Sequence, residues 1–214
     1  MGELDTAAVL VWMHAATAAV AAHEAELTAL DTAIGDGDHG TNLRRGFAAA
    51  SLAAEDAAAA GTDPGPFLIA VGGALISSVG GAAGPLYGTV LRTAGKALEG
   101  PTADTAALAV ALGAGLDALR RLGGAEVGDK TMVDAFAPAV DALRAAGDLP
   151  LAEAARLAAD AAEEGMRSTT PLRARKGRAS YLGDRSIGHQ DPGATSTALV
   201  FRALAESLTT TVAT

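Results

Sequence analysis

Apolar residues recur at helical spacing along nearly the whole chain, and short clusters of glycine and proline interrupt them. Periods and breakers together divide the chain into about eight segments, near 5–30, 41–60, 64–79, 86–99, 103–122, 130–146, 150–166 and 193–210. Gly35 and Gly37 end the first, Gly61 with Pro64 the second, and Gly80-Gly81 the third. Gly100-Pro101, Gly123-Gly124 and Gly147 with Pro150 close the next three. Pro138 predicts a kink inside the sixth, because proline lacks the N–H and clashes one turn back. No period-2 strand is visible, which argues against a parallel-sheet nucleotide fold. Connections this short favour antiparallel neighbours, so the pattern predicts an all-α protein, an up-and-down bundle or helical barrel.

Composition sharpens that expectation. Half of the 214 residues are hydrophobic but only 3% are aromatic, so the core must be built from Ala, Leu and Val. Alanine has the highest helix propensity and lets helices approach closely. No repeat or low-complexity linker divides the chain, and residues 1–214 read as a single domain. The absence of cysteine excludes disulfides, thiolate catalysis and zinc-thiolate sites. A net charge of −9 argues against nonspecific binding to nucleic acid or an anionic membrane. The start, MGELDTAA, is acidic before its apolar run and unlike an export signal. The longest apolar stretches, 7–22 and 105–116, are too short or too interrupted (His14, Asp117) to span a bilayer. A cytoplasmic protein is expected.

The unusual residues lie in the breaks. Asp31, Asp36 and Asp38 place three carboxylates within eight residues, with Gly35 and Gly37 between them. Hard cations such as Mg²⁺ take oxygen ligands and are commonly held by carboxylates together with phosphate oxygens. A helix starting near Thr41 would point free N–H groups at an anion. An EF-hand is excluded, since counting from Asp36 places Thr41 at position 6 and Phe47 at position 12. The competing reading is a solvated turn, and alone this segment divides evenly between the two. His39 could be a ligand or a general base, or could join Asn42 in contacting phosphate, although a lone histidine is more often merely hydrogen-bonded.

Three further loops follow. Gly80-Gly81-Ala82-Ala83-Gly84 precedes a predicted helix and offers backbone N–H groups to phosphate, or is a simple interhelical turn. Gly128-Asp129-Lys130-Thr131 superficially suggests a P-loop, but Asp129 stands where the lysine should be and no strand precedes it. Read by itself, Asp129 is a helix cap. The polar stretch 168–193 reads as a long irregular connection, a class that is often functional. Arg173, Arg175, Lys176, Arg178 and Arg185 make it the basic part of an acidic chain, suited to phosphate or to electrostatic docking.

In this order and spacing, LDTAIGDGDHGTN, GGAAGPLYG, GDKTMVDAFAP and GRASYLGDRSIGHQDPGATS closely resemble the nucleotide-binding L subunit of dihydroxyacetone kinase, over about residues 5–210. The resemblance implies an eight-helix antiparallel barrel with an ADP–Mg²⁺ site in the loops at one end. It implies Asp31, Asp36 and Asp38 as ligands of two Mg²⁺ ions. It also implies nucleotide contacts from His39, Gly40, Thr41 and Asn42, from Ala82 and Ala83, and from Gly123, Met132 and Arg178. The Asp191-Pro192-Gly193 turn completes that set. One departure stands out: the family commonly has a hydroxyl residue where Ala83 stands, so backbone donors remain there without the side-chain hydrogen bond.

The resemblance further implies a phosphotransferase subunit. Its bound ADP would be recharged by a phosphohistidine-carrying M subunit of the phosphotransferase system. The ATP formed would phosphorylate dihydroxyacetone held on a K subunit. Asp31, Asp36, Asp38 and Arg178 would then be the catalytic groups, working by positioning and charge neutralisation. Two alternatives are an ATP-exchanging kinase subunit for another short ketose, and a binding module whose nucleotide state a transcription regulator reads.

Overall fold

Aspartate starts several of the helices in the computed structural model, which describes residues 3–210. Asp5 accepts the Ala8 N–H and Asp104 the Ala107 N–H, each at 2.8 Å, satisfying groups that a helix N-terminus leaves free. Among the described residues there are nine α-helices: α1 Thr6–Ala22, α2 Glu24–Ile34, α3 His39–Ala59, α4 Pro64–Ser78, α5 Ala83–Ala97, α6 Thr105–Gly123, α7 Val133–Ala146, α8 Leu151–Ser168 and α9 Pro192–Thr210. A 3-10 segment, Arg178–Ser186, precedes α9. The only β-pairing among these residues is an isolated bridge between Leu4 and Ala103. The all-α expectation therefore holds.

Eight of the helices pack in cyclic order. α1 lies on α3, α3 on α4, and so on to α9, which returns to α1. The indole of Trp12 fixes that closure by donating to the Val200 carbonyl at 3.0 Å. Inside lie Leu, Val and Ala with few rings; Phe136 and Phe201 meet edge to face at 5.1 Å. α4 and α5 approach most intimately. A Cβ on Gly65 would lie 2.7 Å from the Gly95 carbonyl, and one on Gly72 would lie 2.7 Å from that of Gly88. Bare backbone at these positions lets the two helices meet without side chains between them.

The structure departs from the sequence pattern at four places. The first segment is two helices, bent by 61° at His23, whose Nδ1 meets the Ala19 carbonyl at 2.8 Å. α2 leaves the ring and packs on α3, α9 and the 3-10 segment. The stretch 168–193 is not wholly irregular, because 3-10 turns run from Arg178 to Ser186, broken by a kink at Gly183 (φ +58°). Pro138 lies inside α7, and the Asp134 carbonyl, which proline deprives of its usual donor, lies against Gly165 of α8. Finally, Asp129 does not cap α7. It closes a turn by accepting the Glu126 N–H at 2.9 Å.

Candidate functional site

The loops that separate α2 from α3, α4 from α5, α6 from α7 and α8 from α9 meet around one cavity of about 430 Å³. They are alternate connections of the ring. Asp31 comes from the last turn of α2 and is buried. Its Oδ2 accepts the backbone N–H groups of Asp38 at 2.9 Å and His39 at 3.1 Å, which folds the glycine turn back over the carboxylate. Gly35 makes this closure feasible, since a Cβ there would overlap Asp31 Oδ1. Gly37 has a φ of +76°, a conformation that favours glycine. As a result, carboxylate oxygens of Asp31, Asp36 and Asp38 lie within 4.8 Å of one another. Such an all-oxygen, triply anionic set fits a hard divalent cation. Arg178 reaches across from the 3-10 segment to Asp36 at 3.0 Å.

His39 opens α3 and its Nε2 lies 3.0 Å from Ser196 Oγ of α9. Tyr87 of α5 joins them, its hydroxyl 2.8 Å from Ser196 Oγ and 3.0 Å from Thr197 Oγ1. Three of the four loop regions are thus tied by one polar chain. Burial lowers the His39 pKa, partly offset by the carboxylates of Asp31 and Asp38, so the ring is neutral at pH 7. Burial likewise pushes the Tyr87 hydroxyl up to about 12, so it remains a donor. His39 Nε2 is thus engaged with α9.

Helix starts supply the anion-facing groups. α5 begins at Ala83 with no side-chain cap, leaving its first N–H groups free. Asn42 lines the cavity beside this loop and is held by Arg45, whose Nη2 donates to its Oδ1 at 2.8 Å. The start of α9 differs, because Asp191 accepts the Ala194 N–H at 2.7 Å and Pro192 occupies the first turn. Burial raises the Asp191 carboxyl to about 7. Gly193 packs against Met132, the residue before α7. The cavity lining also includes the apolar residues Leu86, Leu119, Leu122 and Met132, with Gly123.

Most residues singled out in the sequence line this cavity: Asp31, Asp36, Asp38, His39, Asn42, Ala82, Ala83, Gly123, Met132, Arg178, Asp191, Pro192 and Gly193. Gly40 and Thr41 do not. Gly40 is packed on Thr28 and the Glu24 carbonyl, and Thr41 is exposed. Sequence reasoning missed Tyr87, Ser196 and Lys130. The first two sit at ordinary helical positions, and Lys130 reads as a surface charge until its surroundings are seen.

Most of the chain is similar to known proteins. A family model described as the DAK2 domain matches residues 33–206. The chain belongs to the DAK2 domain family. Among its DAK2 relatives, the ADP-binding subunit DhaL of the PEP-dependent dihydroxyacetone kinase of Escherichia coli is 45% identical over 182 residues, 84% of this chain and 86% of that one. An L-erythrulose 1-kinase of Mycolicibacterium smegmatis is 43% identical over 188 residues, 87% of this chain but 33% of that protein. The DAK2 fold is also seen in the crystal structure of the C. freundii dihydroxyacetone kinase in complex with AMP-PNP and Mg²⁺. It shares 30% identity and a TM-score of 0.66, covering 94% of this chain and 33% of that one.

Proposed function

We propose that this chain is the nucleotide-binding subunit of a dihydroxyacetone kinase, relaying a phosphoryl group from a phosphohistidine carrier to dihydroxyacetone on a partner K subunit. One observation carries the reading: a three-carboxylate cluster shares a cavity with the uncapped N-terminus of α5 and with apolar residues. Those parts suit metal, phosphates and base respectively. The likeness to a DhaL subunit over most of both chains supports the phosphohistidine route. The family relative holding AMP-PNP and Mg²⁺ supports the ligand class.

Asp31, Asp36 and Asp38 would hold the metal, with two Mg²⁺ ions as the full complement. The metal would neutralise phosphate charge and order an in-line path. Bound ADP would supply the oxygen that accepts the incoming phosphoryl group. For its part, the protein positions and neutralises. Arg178 adds a permanent cation, and its Asp36 contact keeps it at the mouth. Ala83 offers only its backbone N–H. The His39–Ser196–Tyr87 chain holds the surrounding loops in register.

Nucleotide and magnesium content after extensive dialysis, followed by a chase with labelled ATP, tests the proposal. Stoichiometric ADP that resists exchange is expected. Failure to bind nucleotide and Mg²⁺ in a folded sample would overturn it. Free exchange would favour a second reading, an ATP-dependent kinase subunit for a short ketose, which the erythrulose kinase likeness supports.

A further inference from the structure

Lys130 is the most completely enclosed cation among the described residues, at 1% exposure, and the only described residue other than glycine at positive φ (63°). Its ammonium makes no ion pair with the Asp31, Asp36 and Asp38 cluster, although Asp191 and Asp134 are near enough to favour its charge. Instead it donates to the carbonyls of Thr169 at 2.7 Å, Leu172 at 3.2 Å, Thr170 at 3.5 Å and, most closely, His189. Three of these stand where the α8–α9 connection begins and the fourth where it ends. Three N–H donors are therefore shared among four acceptors, with none left unused.

Other bonds agree with a cinched loop. The Gly188 N–H donates to the Thr170 carbonyl at 2.8 Å and the Asp191 N–H to Thr169 Oγ1 at 3.0 Å. The Arg175 N–H meets the Asp129 carbonyl at 3.1 Å. Asp134 holds the lysine's own loop, taking the Gly128 and Thr131 N–H groups at 2.6 and 2.7 Å. Between the two cinched ends lies the span that carries Lys176 and Arg178 to the cavity, and just beyond it comes the Asp191-Pro192-Gly193 turn.

We propose that Lys130 is a positioning residue, an internal cation that clips both ends of the 169–191 connection and so sets Arg178 and the start of α9 for ligand. The clip does the work that a structural metal does in other loops, with carbonyl oxygens as its ligands. In this arrangement the ammonium is bonded to loop carbonyls although Lys130 lies in the cavity wall, so the role assigned to it is to hold the loop. The consequence for nucleotide binding rests on the function proposed above, whereas the clip itself does not.

Lys130→Gly removes the ammonium while easing the positive φ, so any loss belongs to the side chain. Lys130→Met fills much of the same volume without charge. Both variants should keep their helical circular dichroism. Both should lose hydrogen-exchange protection at Gly188 and Asp191 and bind ADP roughly tenfold more weakly or worse, because buried carbonyls are left without donors. In Lys130→Gly, added ammonium chloride should restore protection and affinity, whereas tetramethylammonium chloride at equal ionic strength should not. Restoration by ammonium alone is a response that generic destabilisation does not give.

Unchanged protection in both variants would overturn the proposal, as would equal recovery with both salts. Should neither variant fold, nucleotide-stripped wild type decides the matter: slow exchange at Gly188 and Asp191 supports a clip that precedes ligand, and fast exchange refutes it. Protection lost in the variants, in a wild type that binds no ADP, would uphold the clip and reject the nucleotide reading.

Discussion

Asp31 serves two masters, and the substitution chosen to test it decides which one is seen. Its Oδ2 accepts two backbone N–H groups, so Asp31→Ala removes a buried acceptor as well as a charge. Alanine there should cost about 1–3 kcal/mol of stability, because both donors lose their partner. Asp31→Asn keeps an acceptor oxygen, so thermal unfolding should change little while magnesium-dependent nucleotide retention is lost. Comparing the two variants by calorimetry and by ADP content separates fold from metal. Asp191 is a separate case, a carboxyl that burial raises to about 7. A raised folded pKa means its protonated form is favoured in the native state. Its contribution to stability is thus full below the unfolded value near 4 and is lost as pH rises through 7. Asp191→Asn retains the oxygen that caps α9 and cannot ionise. Its melting temperature should therefore fall less than that of wild type between pH 5 and pH 8. An equal fall in both would show that Asp191 is ionised throughout that range.

Helices were legible in this sequence because their ends are written in glycine and proline, whereas contacts between helices were not. The alternation of Ala-rich periods with Gly61, Pro64, Gly100, Pro101, Gly147 and Pro150 marks the real breaks between α3 and α8. The break at His23 carries no such mark. It follows from α2 turning aside to pack on α3, where bare Gly40 meets Thr28 and the Glu24 carbonyl. Nor does the 3-10 segment betray itself in a stretch whose glycines and charges suggest loop. The site was half legible for the same reason: clustered aspartates and glycines can be read locally, but the Tyr87–Ser196 pair spans |i−j| = 109. Glycine inside α4 and α5 reads as a weak helix former, yet in the fold it is a contact surface. Gly72→Ala and Gly88→Ala should each destabilise by about 1–3 kcal/mol, the usual cost of forcing atoms into a filled interface. Chemical denaturation measures it. Gly73, one position along and facing open space, is the control and should gain slightly from alanine's helix propensity. Equal effects at 72 and 73 would mean that the α4–α5 approach is looser than described.

Over the whole molecule, charge is distributed against its own net sign at the mouth of the cavity. The chain carries −9, yet Arg173, Arg175, Lys176, Arg178 and Arg185 place five of its sixteen lysines and arginines within a short span beside the site. Two of them are already partly answered, Arg173 by Asp184 at 3.3 Å and Arg178 by Asp36 at 3.0 Å. Arg175 and Arg185 are exposed and do not line the cavity, so they can act on an approaching anion without touching it once bound. Steering of that kind changes the rate of arrival rather than the rate of departure, and it weakens as salt shortens the screening length. Arg175→Glu combined with Arg185→Glu should slow association of a fluorescent ADP analogue several-fold or more at low ionic strength. The two association rates should converge at high salt. Dissociation, followed by displacement with unlabelled ADP, should remain close to wild type because no bound-state contact is removed. A matching change in dissociation would instead place these arginines in the bound complex, and equal association at low salt would mean that the acidic body of the protein, not its basic mouth, governs the approach.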